Sequence, residues 1–294
     1  MTSQLPMTSQ LLRGLLDDAS LFPPASLAMP AAVAAHQRHL LAWYSSLCGP
    51  FVCADTRLAE LRTALTAGNH AAIDLSLVVT GGADAVPTAL DAVASDPRLR
   101  LRGVEVPVAR DGDVAEAVAA VVKALDGAPL AAAAGYVEIP LRAIADPATA
   151  GQLLAMVDSH GYRPKLRTGG VTAESFPDEA TLASCLTAVI DRRTPFKCTA
   201  GLHHAVRHTA ADTGFEHHGF LNVLIAVAAS SHGASTEEVH DLLAERDAAT
   251  VAARIAGLDD EAIADSRYLF ISFGTCSTDE PVADLVALGL LNRS

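Results

Sequence analysis

Apolar and polar residues alternate in short runs along this chain, and each run is followed by a stretch in which apolar residues return every three or four positions. Alternation with period two marks a strand with two different faces, whereas the longer spacing marks one face of a helix. The strand candidates are FVCA (51–54), IDLSLVV (73–79), GVEVPV (103–108), GYVEIP (135–140), RPKLRTG (163–169), PFKCTAG (195–201) and LFISFGT (269–275). Between them lie alanine-rich helical stretches such as DVAEAVAAVVKALDG and DEATLASCLTAVIDRR, several opening on Asp or Thr and closing on Gly, as helix caps do. Strands that alternate with helices build a parallel sheet. With an eighth strand at ASLF (19–22), the pattern predicts an α/β fold, a (β/α)8 barrel of TIM type. It is expected to form a single domain over 1–294, in which 1–50 is an N-terminal helical segment carrying the possible first strand. The run FLNVLIAVAAS (220–230) reads as a buried helix or, alternatively, as the missing strand. An open doubly wound sheet is the other arrangement, but no GxGxxG follows an early strand.

Strands covered on both faces should be continuously apolar. Four of these runs are not, and their polar residues fall on one parity. Glu105 opposes Val104 and Val106, and Glu138 opposes Val137 and Ile139. Lys165 and Arg167 oppose Leu166, while Lys197 and Thr199 oppose Phe196 and Cys198. The apolar parity must face the helices, so the polar one faces the barrel axis near the C-terminal strand ends, where active sites of this fold lie. Neighbouring strands are about 4.8 Å apart. Two carboxylates, two ammonium groups and a guanidinium are therefore expected in one small volume, as a functional site or as a buried ion-pair network.

Composition narrows the classes. The net charge of −13 argues against a nucleic-acid partner, which needs a basic face, but leaves room for a small anionic substrate. No apolar run is long enough to span a membrane, and MTSQLPMTSQ lacks a basic segment followed by an apolar one, so a soluble, cytoplasmic protein is expected. Cys48, Cys53, Cys185, Cys198 and Cys276 form no CxxC pair, which suits reduced thiols. The sequence allows a homo-oligomer without specifying one.

Only three residues are lysine against eighteen arginines, which makes the placement of two of them informative. The third, Lys123, lies on a helical stretch and reads as solvated. A free lysine has a pKa of about 10.4, so only about one amine in 2,500 can attack a carbonyl at pH 7. Desolvation and a second cation lower that pKa, and an adjacent glutamate can shuttle protons. Arginine cannot form an imine. At these residues the sequence resembles the class I aldolases, deoxyribose-phosphate aldolase in particular. Lys165-Leu-Arg-Thr168-Gly169 matches the context of that family's imine-forming lysine on strand six. Lys197-Cys-Thr-Ala-Gly201 matches its second lysine on strand seven, and Glu105 stands where the family has an acidic residue on strand four. The resemblance implies a lyase working through a Schiff base on Lys165, with Lys197 lowering its pKa and no cofactor. Arg167 inside the motif, Glu in place of Asp and a two-histidine loop depart from the family pattern.

Five of the eleven histidines lie between 203 and 218. His203 and His204 follow strand seven and are candidates for proton transfer or for metal ligation. His204 and His208 have the i, i+4 spacing that sets two imidazoles on one helical face and suits zinc or another divalent ion. With Glu105 and Glu138, His203 and His204 would define a metal-dependent lyase, isomerase or hydrolase, and a non-catalytic barrel binding an anionic metabolite is a third possibility. Loops after the last two strands commonly cradle phosphate in this fold. Thr199, Gly201, Gly274, Thr275 and Ser277 are the candidates for that role, with a helix-capping turn as the alternative. Cys276 lacks a histidine partner recognisable from sequence. In LLDDASLFPP, one of Asp17 and Asp18 points into the barrel, or both end a helix before Pro23-Pro24.

Overall fold

A computed structural model of the chain describes residues 7–68, 70–109 and 111–292. The N-terminal segment expected over 1–50 therefore falls partly, at 1–6, outside the described residues. In chain order the strands are β1 (Leu16–Asp18), β2 (Cys48–Ala54), β3 (Ile73–Val78), β4 (Leu99–Pro107), β5 (Ala134–Glu138), β6 (Arg163–Arg167), β7 (Phe196–Thr199), β8 (His208–Thr209), β9 (Glu216–His217) and β10 (Phe270–Thr275). Eight of them close a barrel in the order β1-β10-β7-β6-β5-β4-β3-β2, every pair parallel. The helices outside it are α1 (Met7–Leu12), α2 (Met29–Leu41), α3 (Leu58–Ala67), α4 (Val86–Ala94), α5 (Val114–Asp126), α6 (Leu141–Ala145), α7 (Pro147–Asp158), α8 (Glu179–Asp191), α9 (Phe220–Ser231), α10 (Thr236–Ala244), α11 (Ala248–Ala256), α12 (Asp260–Leu269) and α13 (Asp279–Ala287). The fold is a (β/α)8 barrel of TIM type.

The first strand corrects the expectation at ASLF. It is Leu16–Asp18, three residues upstream; beyond it Ala19 N donates to Thr275 O (2.8 Å) and the chain turns, with Phe22 N on Ala19 O (2.8 Å). An apolar search passes over this strand because its inward residue is Asp17 and its last residue is Asp18. Asp18 faces outward and accepts from Ser20 N (3.0 Å), and its other oxygen meets the buried His36 Nδ1 on α2 (3.0 Å). The run at 220–230 is a helix. Nearly all of α9 is buried, and it packs against α8, α10, α11 and α12 to cover the interval before β10. Its one amide, Asn222, donates to Leu242 O (2.9 Å) and Glu245 O (2.8 Å) and accepts from Arg207 N (2.9 Å), so burial leaves it satisfied.

The outward parity supplies the core. Val104, Val106, Val137, Leu166, Phe196, Cys198 and Phe273 are all buried against the helices. Phe196 stacks on Phe270 and Phe220 on Phe273, with ring centroids 5.4 and 5.3 Å apart. Asp113, Asp146, Asp178, Asp247 and Asp259 cap helices through their carboxylates, and Ser235 with Glu238 forms a capping box on α10.

Between β7 and α9 the chain makes an excursion over 200–219 that contains the antiparallel β8–β9 hairpin. The buried Arg207 pins it, with Nη2 on Glu179 (2.8 Å) and Glu216 (3.1 Å) and Nη1 donating to His218 Nδ1 (3.2 Å). His218 Nε2 then donates to Pro177 O (2.8 Å), and burial together with Arg207 pushes this imidazole down to about 4, which keeps it neutral.

The repeated Lys-x-x-x-Gly spacing has a structural cause. Lys165 and Lys197 are direct register partners, so the glycines four residues on also meet. A Cβ on Gly169 would lie 2.6 Å from Gly201 Cα, and one on Gly201, where φ is +78°, would lie 2.5 Å from Thr168 O. Gly169→Ala is expected to cost about 1–3 kcal/mol through this overpacking, lowering the melting temperature by about 2–4 °C per kcal/mol. Gly151→Ala, inside α7 with nothing within 4 Å of the added methyl, should match or exceed the parent in the same thermal melt.

Candidate active site

The inward parity brings together the side chains read from the sequence. Glu105 on β4 is almost wholly buried and carries an ammonium on each oxygen: Oε2 to Lys165 Nζ at 2.6 Å and Oε1 to Lys197 Nζ at 2.7 Å. Lys165 Nζ also meets Glu138 Oε2 (2.8 Å), whose other oxygen accepts from Arg167 Nε (2.7 Å). Lys197 Nζ also donates to Asp17 Oδ2 (2.5 Å) and lies 5.2 Å from the centre of the Tyr136 ring. Ser76 Oγ donates to Glu105 (2.6 Å) and Ser272 Oγ to Asp17 (2.9 Å). The chain of contacts runs Asp17, Lys197, Glu105, Lys165, Glu138, Arg167. The two lysines are fully enclosed, whereas the Arg167 side chain is 41% exposed, so the Lys165 end lies nearer solvent.

The charges balance, three carboxylates against three cations, but the members are unequal. Burial opposes ionisation of Glu105, yet the two ammoniums outweigh it and hold the carboxyl well below the usual range. Glu138 behaves likewise, with Lys165 and Arg167 overcoming burial and bringing it down to about 2. At Asp17 burial wins over the single ammonium and raises the pKa, and its Oδ1 has no hydrogen-bond partner among the described residues. Burial alone would lower Lys197, but Asp17 and Glu105 raise it above an ordinary lysine. Lys197 is therefore a fixed cation, and Asp17 is the carboxylate readiest to accept a proton.

One level toward the C-terminal strand ends the lining is small. Thr199 pairs with Gly274, and Gly274 with Asp17. A Cβ on Gly274 would rest 3.4 Å from Thr199 Oγ1 and 3.8 Å from the Ala19 methyl, so this level of the barrel is lined by small side chains.

The residues beyond the strands are placed differently. Gly201 serves the backbone approach to Gly169. Thr275 Oγ1 donates to Ser277 O (2.9 Å) and Ser277 Oγ accepts from Glu280 N (3.3 Å), so both hydroxyls are engaged in the turn before α13. His203 Nδ1 lies 3.3 Å from Glu280 Oε2 and 3.5 Å from Cys276 Sγ, a thiol–imidazole contact that the sequence did not reveal. Burial pushes the Cys276 thiol up to about 11 and lowers His203, so both are neutral near pH 7. His204 Nδ1 meets Asp284 (3.0 Å). The shared helical face expected for His204 and His208 does not form, because 201–207 is loop and His208 begins β8. Their rings meet edge to face, 4.6 Å apart. Among the described residues no three His, Cys, Asp or Glu side chains are grouped to hold a metal ion.

Sequence reasoning left Asp17 undecided and passed over Ser76, Tyr136 and Ser272. The signal for the last three was the parity that identified the lysines: Ser76 alternates with leucines in β3, Tyr136 shares the parity of Glu138 in β5, and Ser272 alternates with Phe273 in β10. No protein-family model matches this chain, and neither does any curated protein.

Glu138 makes the network pH-sensitive. Its folded pKa of about 2 lies below the ordinary 4.5, so its contribution is complete above 4.5 and is lost as pH falls toward 2. Urea denaturation at pH 6 and pH 3 should show a steeper stability loss for the parent than for Glu138→Gln, which has no carboxylate to protonate. Lys197→Met leaves Asp17 and Glu105 facing each other and is expected to cost about 3–5 kcal/mol in the same assay at pH 7.

Proposed function

We propose that this protein is a carbon–carbon lyase of aldolase type, working through an imine between Lys165 and a keto or aldehyde substrate. The observation that carries the reading is the bridging of two buried lysines by one carboxylate, one level below the small side chains of Thr199, Gly274 and Ala19. Lys165 is the nucleophile in this reading because its carboxylate partner Glu138 and then Arg167 lead toward the open end.

Attack needs a neutral amine, so a proton must leave Lys165. The contacts supply a relay: Glu105 takes the proton from Lys165 and gives it to Lys197, as Lys197 gives one of its own to Asp17. The terminal acceptor is the carboxyl that burial has already made the strongest base of the three. The neutral amine adds to the carbonyl carbon, the proton held on Asp17 returns along the same contacts to the carbinolamine oxygen, and water leaves to give an iminium. That cation occupies the place of the ammonium, so Glu105 and Glu138 remain paired and stabilise it. The iminium then accepts the electron pair released when the adjacent carbon–carbon bond breaks, while the hydroxyl on the departing carbon loses its proton and becomes a carbonyl. Protonation of the enamine and hydrolysis return Lys165.

Sodium borohydride added with a small aldehyde should reduce the imine and increase the protein's mass by the corresponding alkyl group at Lys165. Lys165→Arg should take up none, and an adduct elsewhere with none at Lys165 would refute the assignment. Asp17→Asn, which cuts the relay at its end, should lower turnover and the rate of borohydride trapping together, by about 10²–10⁴-fold.

A further inference from the structure

The side of the barrel mouth where this fold commonly takes a phosphate, formed by the loops after the last two barrel strands, carries the opposite charge here. The first turn of α13 presents Asp279 and Glu280, and Asp284 follows one turn later. Glu280 sits against His203, Asp284 against His204 and the Ala205 amide (2.8 Å), and Asp279 accepts from Tyr44 (3.5 Å). Two groups that could hold an anion at this turn are already engaged: Thr275 Oγ1 on Ser277 O, and the Glu280 amide on Ser277 Oγ. His203 is kept neutral by burial and adds no cation. Within the barrel Arg167 is paired with Glu138 and each lysine with two carboxylates, so no described cation there is in surplus.

We infer that the substrate end lying against α13 is neutral and hydroxylated, and that a phosphate ester is disfavoured there. The inference rests on the imine reading and names the substrate class of that site. A phosphate dianion would face the Glu280 and Asp284 carboxylates, and the positive N-terminal end of α13 is already offset by its own Asp279 and Glu280. A hydroxyl suits the same groups, since the half-exposed Glu280 carboxylate accepts a hydrogen bond and the half-buried Thr199 hydroxyl can donate or accept one. The sequence suggested an anionic substrate from the hydroxyls and glycines of these loops; the acids beside them reverse that expectation.

The test uses the intact protein with acetaldehyde as the donor and two acceptors, D-glyceraldehyde and D-glyceraldehyde 3-phosphate. Borohydride trapping with acetaldehyde alone reports the imine separately. The expected result is a kcat/KM at least ten times higher for the unphosphorylated acceptor at low salt, a ratio that narrows in 0.5 M salt as charges are screened. Glu280→Lys should move the ratio toward the phosphate ester by tenfold or more. Inorganic phosphate at 10 mM should leave the parent's melting temperature unchanged and raise that of Glu280→Lys, a readout that needs no turnover. A preference of the parent for the phosphate ester, or its stabilisation by phosphate, overturns the inference while trapping still stands. Absence of trapping overturns the imine reading, and the substrate assignment falls with it.

Discussion

One buried carboxylate, Glu105, holds an ammonium on each of its oxygens, and the interior of this barrel is organised around that contact. A charge enclosed in protein without compensation costs several kcal/mol, so none of the groups here can be removed without stranding another. Glu105 needs both lysines, and each lysine needs a further carboxylate, Glu138 on one side and Asp17 on the other. The result is a neutral chain of charges from β1 to β6, supported by the hydroxyls of Ser76 and Ser272. An aliphatic interior would serve stability as well, because buried ion pairs contribute little to it. The retention of titratable groups at this level fits chemistry better than packing.

The backbone around the network answers to the same pairing. Register places Lys165 beside Lys197, and two residues on Arg167 stands beside Thr199. Two residues further the strand ends converge so tightly that only glycine fits at 169 and 201. The residues one level over the lysines, Thr199, Gly274 and Ala19, are all small. The mouth beside them is shaped by elements remote in sequence. Arg207 ties the hairpin excursion to α8 and α9, and α13 brings its carboxylates against the histidines of that excursion.

Much of this was legible in the alternation of residues. The number of strands, the barrel, the buried nature of 220–230 and the inward direction of Glu105, Glu138, Lys165, Arg167 and Lys197 follow from period two in the strands and from the requirement that the apolar face meet the helices. The first strand was misplaced because three residues, two of them aspartates, carry no apolar period. The spacing of His204 and His208 suggested a helix face, yet spacing has meaning only once the backbone is known, and there the chain is a loop.

By itself the sequence determined which side chains face the axis, because parity is a local property of the chain and burial decides its sign. It also determined that two of the three lysines lie on adjacent strands. Only the tertiary structure decided what those lysines touch. A pKa depends on every charge within a few ångströms, and Asp17, 180 residues from Lys197 along the chain, becomes its neighbour only when β1 closes the barrel against β10. For the same reason the carboxylate that lies between the two lysines is seen only in the folded chain. Closure of the sheet is a long-range event, and the electrostatics it creates are not written in any short stretch of sequence.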